Sequence, residues 1–222
     1  MAMNAGPGRS GRVGRIGALA LLLLGPALSM AQQPPVTQQP VPAAVPAVAP
    51  VNVVLHTSQG DVVVTVDAAH APITAANFLH YVDDRRLDGT TFYRAMKITE
   101  DGKYGLVQGG AQGDPKRVLP PIAHESPRAT GLHNSDGALS MARDAPGTAT
   151  ADFFIVIGDL SSLDGSADGS DPGYAVFGRV VSGMDTLKSM LDLPRAEAAA
   201  NPVMKGQMLA EPVKILSARR VD

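Results

Sequence analysis

The chain has 222 residues, which is the length of one ordinary domain with or without a tail. Apolar residues make up 45% of it, so we expect a buried core rather than wholesale disorder. The 19 basic and 21 acidic residues give a net charge of −2, which argues against nucleic-acid binding because phosphate neutralisation needs an excess of basic charge. Because the chain has no cysteine, disulfides and cysteine-ligated metal sites are excluded.

The N-terminus has the three parts of a secretory signal peptide. Three arginines precede an apolar run at residues 16–28, and the small residues Ser29 and Ala31 follow it. The run is shorter than the about 20 residues that a membrane-spanning helix needs. We therefore predict cleavage after Ala31, with an uncleaved membrane anchor as the alternative. The mature chain would have 16 basic and 21 acidic residues, a net charge of −5, and we expect it in a bacterial periplasm, with secretion as the alternative.

Residues 32–50 are uncharged and rich in proline and glutamine, which predicts a flexible linker because such a stretch cannot bury a core. The composition changes at Val51, and we place one compact domain at residues 51–222. The domain organisation predicted from the sequence is therefore a signal peptide (1–31), a linker (32–50) and a single folded domain.

The pattern within the domain predicts many short strands and two helices. The runs 52–56 and 61–66 flank a Ser-Gln-Gly turn and predict a β-hairpin. Pro72 then begins a helix that we expect to end near Arg85, since proline is tolerated in the first turn. The remaining predicted elements are strands at 91–96, 106–108, 138–141, 153–157 and 175–180, a helix at 183–191 and a strand at 213–218. This order predicts a mainly β fold, a small closed β-barrel with the helices over its ends.

Six short motifs follow one another along the domain. They are Phe92-Tyr93-Arg94, Val107-Gln108-Gly109-Gly110, Leu139-Ser140-Met141-Ala142, Asp152-Phe153-Phe154-Ile155, Leu163-Asp164-Gly165 and Val176-Phe177-Gly178-Arg179-Val180. In this order they resemble the cyclophilins, a family of peptidyl-prolyl cis-trans isomerases. The stretches 174–178 and 215–218 are most similar to the bacterial periplasmic branch. The resemblance implies a cyclophilin-like closed eight-stranded antiparallel β-barrel and an enzyme that uses neither a cofactor nor a metal.

The resemblance also implies roles for individual residues. Arg94 corresponds to the arginine that stabilises the twisted prolyl amide, and Gln108 to the glutamine that helps to hold the substrate backbone. The other substrate-binding positions that it assigns are Leu106, Phe154, Leu163, Tyr174, Ala142, Arg143 and Asp152. Among these, the main chain at 142–143 is expected to pair with the residue before the proline. Strand alternation predicts that Phe153 and Phe154 lie on opposite faces of their strand, and the resemblance implies that Phe154 is the one in the proline pocket.

Four departures from the family pattern affect the predicted pocket. Asp152 replaces a family glutamine, and its carboxylate is expected near Arg94, either orienting the guanidinium or competing with the substrate. Ser162 and Gly105 replace aromatic residues of the rim, for which Tyr104 offers one compensation. Thirteen residues separate Arg94 from Gln108, which predicts an extra loop at about 97–104 and a reshaped, shallower pocket.

The expected substrates are Xaa-Pro segments of unfolded or flexible client proteins. We expect a monomer with no nucleic-acid partner and no membrane contact after signal cleavage. The alternative function is a cyclophilin-fold peptide-binding module or holdase chaperone with little turnover. Asp164–Gly169 resembles the start of a calcium loop, but Ala175 occupies the position that requires an acid, so no metal is expected.

Overall fold

The computed structural model describes residues 49–221, so the predicted signal peptide and nearly all of the predicted linker lie outside the described residues. The strands are β1 (Val51–Thr57), β2 (Gly60–Val66), β3 (Thr91–Lys97), β4 (Gly105–Gly110), β5 (Ala138–Met141), β6 (Phe153–Ile157), β7 (Val176–Ser182) and β8 (Met208–Val221). The helices are α1 (Pro72–Asp83), α2 (Pro127–Thr130) and α3 (Met184–Met190), and 3-10 turns cover Ser161–Asp164 and Pro202–Met204. None of the helices within 49–221 is long and apolar enough to cross a membrane.

The eight strands form a closed barrel in the order β1-β2-β7-β5-β6-β4-β3-β8, and all neighbouring strands are antiparallel. This confirms the predicted mainly β fold. The first hairpin shows how the sequence produces it, because Val62, Val64 and Val66 alternate along β2 and all three are fully buried. Since alternate residues of a strand point to opposite faces, these β-branched side chains fill the inside of the barrel.

Helices α1 and α3 cover the two ends of the barrel. Phe78 of α1 packs edge to face against Phe153 at the start of β6, with ring centroids 5.5 Å apart. At the opposite end of the β4–β6 pair, the side chain of Leu191, directly after α3, lies against Gly105. Both helices predicted from the sequence are therefore present, one over each end.

A carboxylate from the β4–β5 connection holds the N-terminus of α1. Glu125 accepts hydrogen bonds from the backbone N–H groups of Ile73 (3.0 Å) and Thr74 (2.7 Å), which the first turn leaves without intrahelical partners. The negative charge also interacts favourably with the helix dipole. The helix ends at Asp83, slightly before the predicted end at Arg85, because Arg85 adopts a left-handed φ of 57°.

The strand bounds differ from the predicted ones mainly at the C-terminus. Strands β5 and β6 have the predicted bounds, whereas β8 begins at Met208 instead of Val213. The additional residues include Glu211 and Pro212, which give no strand signal in the sequence. They lie at a break in register, because β3 pairs Phe92 with Val213 but Arg94 with Met208.

The sheet buries apolar side chains on both of its faces. The inner core fills the barrel and includes Phe153. A smaller group on the outer face, called here the outer apolar cluster, comprises Leu106, Ala138, Phe154, Val156, Leu160 and Val176. Phe153 and Phe154 are neighbours on β6 but belong to different clusters, as strand alternation predicted.

Candidate active site

One row of side chains crosses the outer face of the barrel. Arg94 on β3 is directly opposite Gln108 on β4, which is opposite Phe154 on β6 and then Ser140 on β5. Residues directly opposite each other on neighbouring strands project to the same face. The row therefore brings together Arg94, Gln108 and Phe154, three of the site residues that the sequence singled out.

A β-bulge at Tyr93 puts Arg94 on this face. Phe92 pairs with Gly109 and Arg94 pairs with the adjacent Gln108, so Tyr93 is the extra residue of β3. Without the bulge, strict alternation would place Phe92 and Arg94 on the same face. With it, Phe92 is fully buried in the inner core while the guanidinium of Arg94 reaches Gln108 on the outside.

Two amide oxygens hold the guanidinium of Arg94. Its Nη1 donates to Gln108 Oε1 (2.7 Å), and its Nε and Nη2 donate to Gln207 Oε1 (2.8 and 2.6 Å). Because arginine only donates, the Gln108 oxygen must face it, and the Gln108 Nε2 donates to Tyr93 Oη (2.6 Å). Burial lowers the pKa of Arg94. Within residues 49–221, no carboxylate forms an ion pair with Arg94.

Asp152 is not the partner of Arg94 in the described part of the chain. Its Oδ1 accepts a hydrogen bond from the backbone N–H of Gln112 (2.9 Å). It also lies so close to Gly110 that a Cβ at that glycine would overlap with the carboxylate. Burial raises the pKa of Asp152, although hydrogen bonds from the main chain act in the opposite direction. The carboxylate is therefore held by the main chain that follows β4, and the pairing that the sequence left open is not formed.

An apolar wall adjoins the row at Phe154. Leu106 and Phe154 are 6% and 3% exposed and belong to the outer apolar cluster, and Leu163 and Tyr174 pack against it. The rings of Phe154 and Tyr174 meet edge to face, with centroids 5.4 Å apart. The Tyr174 N–H donates to the Leu163 carbonyl (2.8 Å), which ties their two segments together. Four of the predicted substrate-binding side chains thus form one contiguous apolar surface.

Arg143 covers the ring of Tyr174. Its guanidinium carbon is 4.7 Å from the ring centroid, and its Nη2 donates to the Gly173 carbonyl (2.6 Å). The neighbouring Ala142 packs against the outer apolar cluster, and its N–H donates to the Asp152 carbonyl (2.9 Å). The Ala142 N–H is therefore already engaged, so a substrate pairing with this segment must use other main-chain groups.

Comparison with known proteins identifies the family. The family model for "Cyclophilin type peptidyl-prolyl cis-trans isomerase/CLD" matches residues 52–220. The chain belongs to this cyclophilin family. The peptidyl-prolyl cis-trans isomerase of Acinetobacter baylyi is 34% identical over 175 residues, which cover 77% of this chain and 86% of that protein. Peptidyl-prolyl cis-trans isomerase B of Escherichia coli is 37% identical over 137 residues, which cover 61% of this chain and 80% of that protein.

The fold comparison agrees with the sequence relatives. The crystal structure of a cyclophilin type peptidyl-prolyl cis-trans isomerase from Cryptosporidium parvum superposes with a TM-score of 0.61 at 21% identity. The match covers 78% of this chain and 99% of that one. The predicted cyclophilin fold and the predicted enzyme class, a cyclophilin-type peptidyl-prolyl cis-trans isomerase, are confirmed.

Two positions at which the family pattern has an aromatic pocket residue, Gly105 and Ser162, carry no aromatic side chain here. At Gly105 a Cβ would fall 2.5 Å from the Met96 carbonyl oxygen, so the backbone leaves no room for a side chain. Ser162 is exposed on a 3-10 turn. Tyr104 does not replace these groups, because it lies against Gly158 and lines a different surface cavity of about 480 Å³. Neither position therefore supplies an aromatic side chain to the pocket, and Gly105 faces Leu191 of the inner core rather than the outer face.

The extra loop of this cyclophilin lies between β3 and β4. It closes on itself, because the Ile98 N–H donates to the Tyr104 carbonyl (2.8 Å). At its base, Lys97 Nζ lies 2.5 Å from Asp192 Oδ1, in the segment after α3. The insertion thus lengthens the hairpin on the side of α3, and its ion pair attaches it to the connection that leads to β8.

Sequence reasoning missed two partners of the site. Gln207 lies 113 residues after Arg94, in an irregular segment whose local pattern gives no sign that it reaches β3. Tyr93 belongs to one of the six motifs, but only the bulge shows that its hydroxyl meets Gln108. The sequence contains one local signal of the bulge. Phe92 and Ala95 are both apolar and are three positions apart, so both can face the inner core only if the alternation of side chains is interrupted between them.

Proposed function

We propose that Arg94 is the catalytic residue of this isomerase and acts by hydrogen bonding to the nitrogen of the twisted prolyl amide. Rotation about the C–N bond has a barrier of about 18–20 kcal/mol because the bond has partial double-bond character. During rotation the nitrogen becomes pyramidal and its lone pair localises. A donor aimed at that lone pair binds the twisted state more strongly than either planar state, which lowers the barrier without a covalent step.

The row from Arg94 through Gln108 to Phe154 is the observation that carries this proposal. It combines a fixed cation, an amide and an apolar surface on one face of the barrel. A proline ring seated on Phe154 and Leu106 directs its own nitrogen along the row, because Gln108 and Arg94 are the next two side chains. We assign Leu163 and Tyr174 to the same apolar wall, and Arg143 to the support of the Tyr174 ring.

Gln108 has the hydrogen-bonding capacity for two tasks. Its Oε1 accepts from Arg94 and its Nε2 donates to Tyr93. A side-chain amide has a second lone pair on its oxygen and a second N–H on its nitrogen. In our proposal these remaining groups hold the substrate backbone, while the contacts within the protein keep Arg94 in place.

The test of this role is Arg94→Ala in a prolyl-isomerisation assay on a short peptide with one Ala-Pro bond. We expect kcat/KM to fall by about 100-fold or more, because removal of one transition-state donor typically has that effect. The variant should remain folded, since Arg94 lies outside the inner core, and a melting curve checks this. Arg220→Ala is the matched control, because Arg220 on β8 forms an exposed ion pair with Asp83 at the end of α1. Full activity of Arg94→Ala would contradict the proposed mechanism.

We also propose that the enzyme assists the folding of exported proteins in a bacterial periplasm. The predicted signal peptide at residues 1–31 supports this location. Uncatalysed prolyl isomerisation takes about 10–100 s, so unfolded clients with Xaa-Pro bonds benefit from catalysis. In this proposal the enzyme is a monomer that binds no nucleic acid and, after cleavage, no membrane.

Cell fractionation with N-terminal sequencing tests the proposed location. We expect a periplasmic protein whose first residue is Gln32. Recovery of the protein in the membrane fraction with an intact N-terminus would support an uncleaved anchor instead, and recovery from the culture medium would support secretion.

A further inference from the structure

The guanidinium of Arg94 is fixed by a residue from the last part of the domain. Gln207 lies in the connection between α3 and β8, and its Oε1 accepts from both Nε and Nη2 of Arg94. Gln108 accepts from Nη1. Because the three hydrogen bonds engage different nitrogens, the guanidinium cannot rotate without breaking at least one of them.

Gln207 is itself held through its backbone and its side chain. Its carbonyl accepts from the Ala95 N–H (2.9 Å), and its N–H donates to the Met204 carbonyl (3.0 Å). Its side-chain Nε2 donates to the Val203 carbonyl (3.2 Å). Since the NH₂ group must face this carbonyl, the oxygen must face Arg94. The Gln207 oxygen is therefore presented to the arginine in a defined position.

An amide oxygen orients a guanidinium without bringing a negative charge to it. A carboxylate in the same place would form an ion pair, and part of the field of the cation would then act on that partner rather than on a substrate. The Arg94 Nη1 also has a second N–H beyond the one that Gln108 accepts. The site thus leaves Arg94 oriented, charged and with a donor for a further acceptor.

We propose that Gln207 is a positioning residue for catalysis, which holds the Arg94 guanidinium in the orientation that meets the prolyl nitrogen. The proposal rests on the catalytic role proposed above for Arg94. Gln207 acts through Arg94, and the substrate is bound by the apolar wall and Gln108. Loss of Gln207 therefore lowers kcat and leaves KM nearly unchanged.

The test is Gln207→Met, which keeps the length and approximate volume of the side chain but removes the acceptor. In the full-length protein with the Ala-Pro peptide, we expect kcat to fall by about tenfold, which corresponds to about 1.4 kcal/mol. We expect KM to stay within about twofold of the wild-type value. In ¹⁵N NMR spectra, the Arg94 Nε–H signal, assigned by its absence in Arg94→Ala, should exchange faster with water in Gln207→Met. Gln59→Met, in the exposed turn between β1 and β2, is the matched control and should match the wild type.

A double-mutant cycle separates this proposal from the one on which it rests. If Gln207 acts through Arg94, Gln207→Met should change the residual activity of Arg94→Ala by less than about twofold. Wild-type kcat in Gln207→Met, together with an inactive Arg94→Ala, would overturn the role of Gln207 and leave that of Arg94 intact. An equal loss in both backgrounds would show a structural effect and would also overturn the positioning role. A fully active Arg94→Ala would refute the proposed mechanism itself.

Discussion

Arg94 and Arg219 are both held by several hydrogen bonds, but their partners differ in charge. Arg219, on β8, donates from Nη1 and Nη2 to the two oxygens of Asp88, each at 2.8 Å. In the described part of the chain, the oxygen atoms that accept from Arg94, on β3, are the neutral amide oxygens of Gln108 and Gln207. Arg219 is therefore paired with a negative charge, whereas Arg94 is oriented by neutral groups.

The difference indicates what each arginine does. The Arg219 guanidinium holds the pKa of Asp88 below its ordinary value, so the pair is a charge-assisted tie between β8 and the turn before β3. Burial lowers the pKa of Arg94, since a guanidinium that is partly removed from water loses solvation of its charge. The neutral partners of Arg94 fit the catalytic role proposed for it, because they leave its charge available to a substrate.

Gln207→Glu gives Arg94 the kind of partner that Arg219 has. The carboxylate keeps an oxygen in front of the guanidinium, so the orientation should be retained while the field available to a substrate is weakened. We expect kcat to fall by about fivefold to tenfold, with the NMR signal of the Arg94 Nε–H still protected and the melting temperature not lowered. In Gln207→Met the same signal should lose its protection, and this separates the effect of charge from that of orientation.

A wild-type kcat in Gln207→Glu would contradict the expected effect of the carboxylate. It would show that a counter-charge beside Arg94 does not matter for catalysis and that only its orientation does. Gln59→Glu, with the same added charge in the exposed β1–β2 turn, controls for the change in net charge.

Asp88→Ala removes the carboxylate from the structural arginine. The pair is partly exposed, with 26% of the Asp88 side chain and 39% of the Arg219 side chain accessible, so we expect a modest effect. The melting temperature should fall by about 3 °C and kcat/KM should stay within about twofold. Asp83→Ala, which removes the more exposed partner of Arg220, should have a smaller effect. A large loss of activity in Asp88→Ala would mean that this region is coupled to the row of Arg94, Gln108 and Phe154.

Most of the fold could be predicted because local patterns determine it. The alternating valines of β2 and the Phe153-Phe154 pair of β6 show their faces in the sequence itself. The start of β8 was missed, since Pro212 is a poor strand residue and only the pairing of Met208 with β3 includes that segment in the sheet.

The candidate site was predicted in part, through its motifs. Arg94 and Gln108 could be named because each stands in a short string typical of the family, and the structure places them opposite each other. Gln207 could not be named, because its contact depends on a loop that reaches back to β3 and leaves no periodic signal. The orientation of Asp152 was equally open, since its hydrogen bond with the Gln112 N–H depends on the backbone after β4 and not on residue type.

Asp152→Asn is the prediction with the smallest expected effect, and it concerns stability against pH. In the folded protein burial raises the pKa of Asp152 above the ordinary value of about 3.9. At a pH between the ordinary pKa and the raised pKa, the folded state binds more protons than the unfolded state. The contribution of Asp152 to stability therefore falls as the pH rises. Asparagine keeps an oxygen that can accept from the Gln112 N–H but carries no charge. The variant should therefore be more stable than the wild type at pH 7. The difference in stability should vanish as the pH falls below the ordinary pKa of the aspartate.

Asp88→Asn should have the opposite effect on the free energy of unfolding. Because the pKa of Asp88 is lowered in the folded protein, its contribution to stability is present above the ordinary value and is lost as the pH falls through the folded value. This variant should be less stable than the wild type at neutral pH and should approach it in acid. Urea denaturation of the wild type and both variants from pH 7 downwards measures the two differences. If both variants were destabilised at pH 7, the main-chain hydrogen bonds of the Asp152 carboxylate would stabilise it more than burial disfavours it.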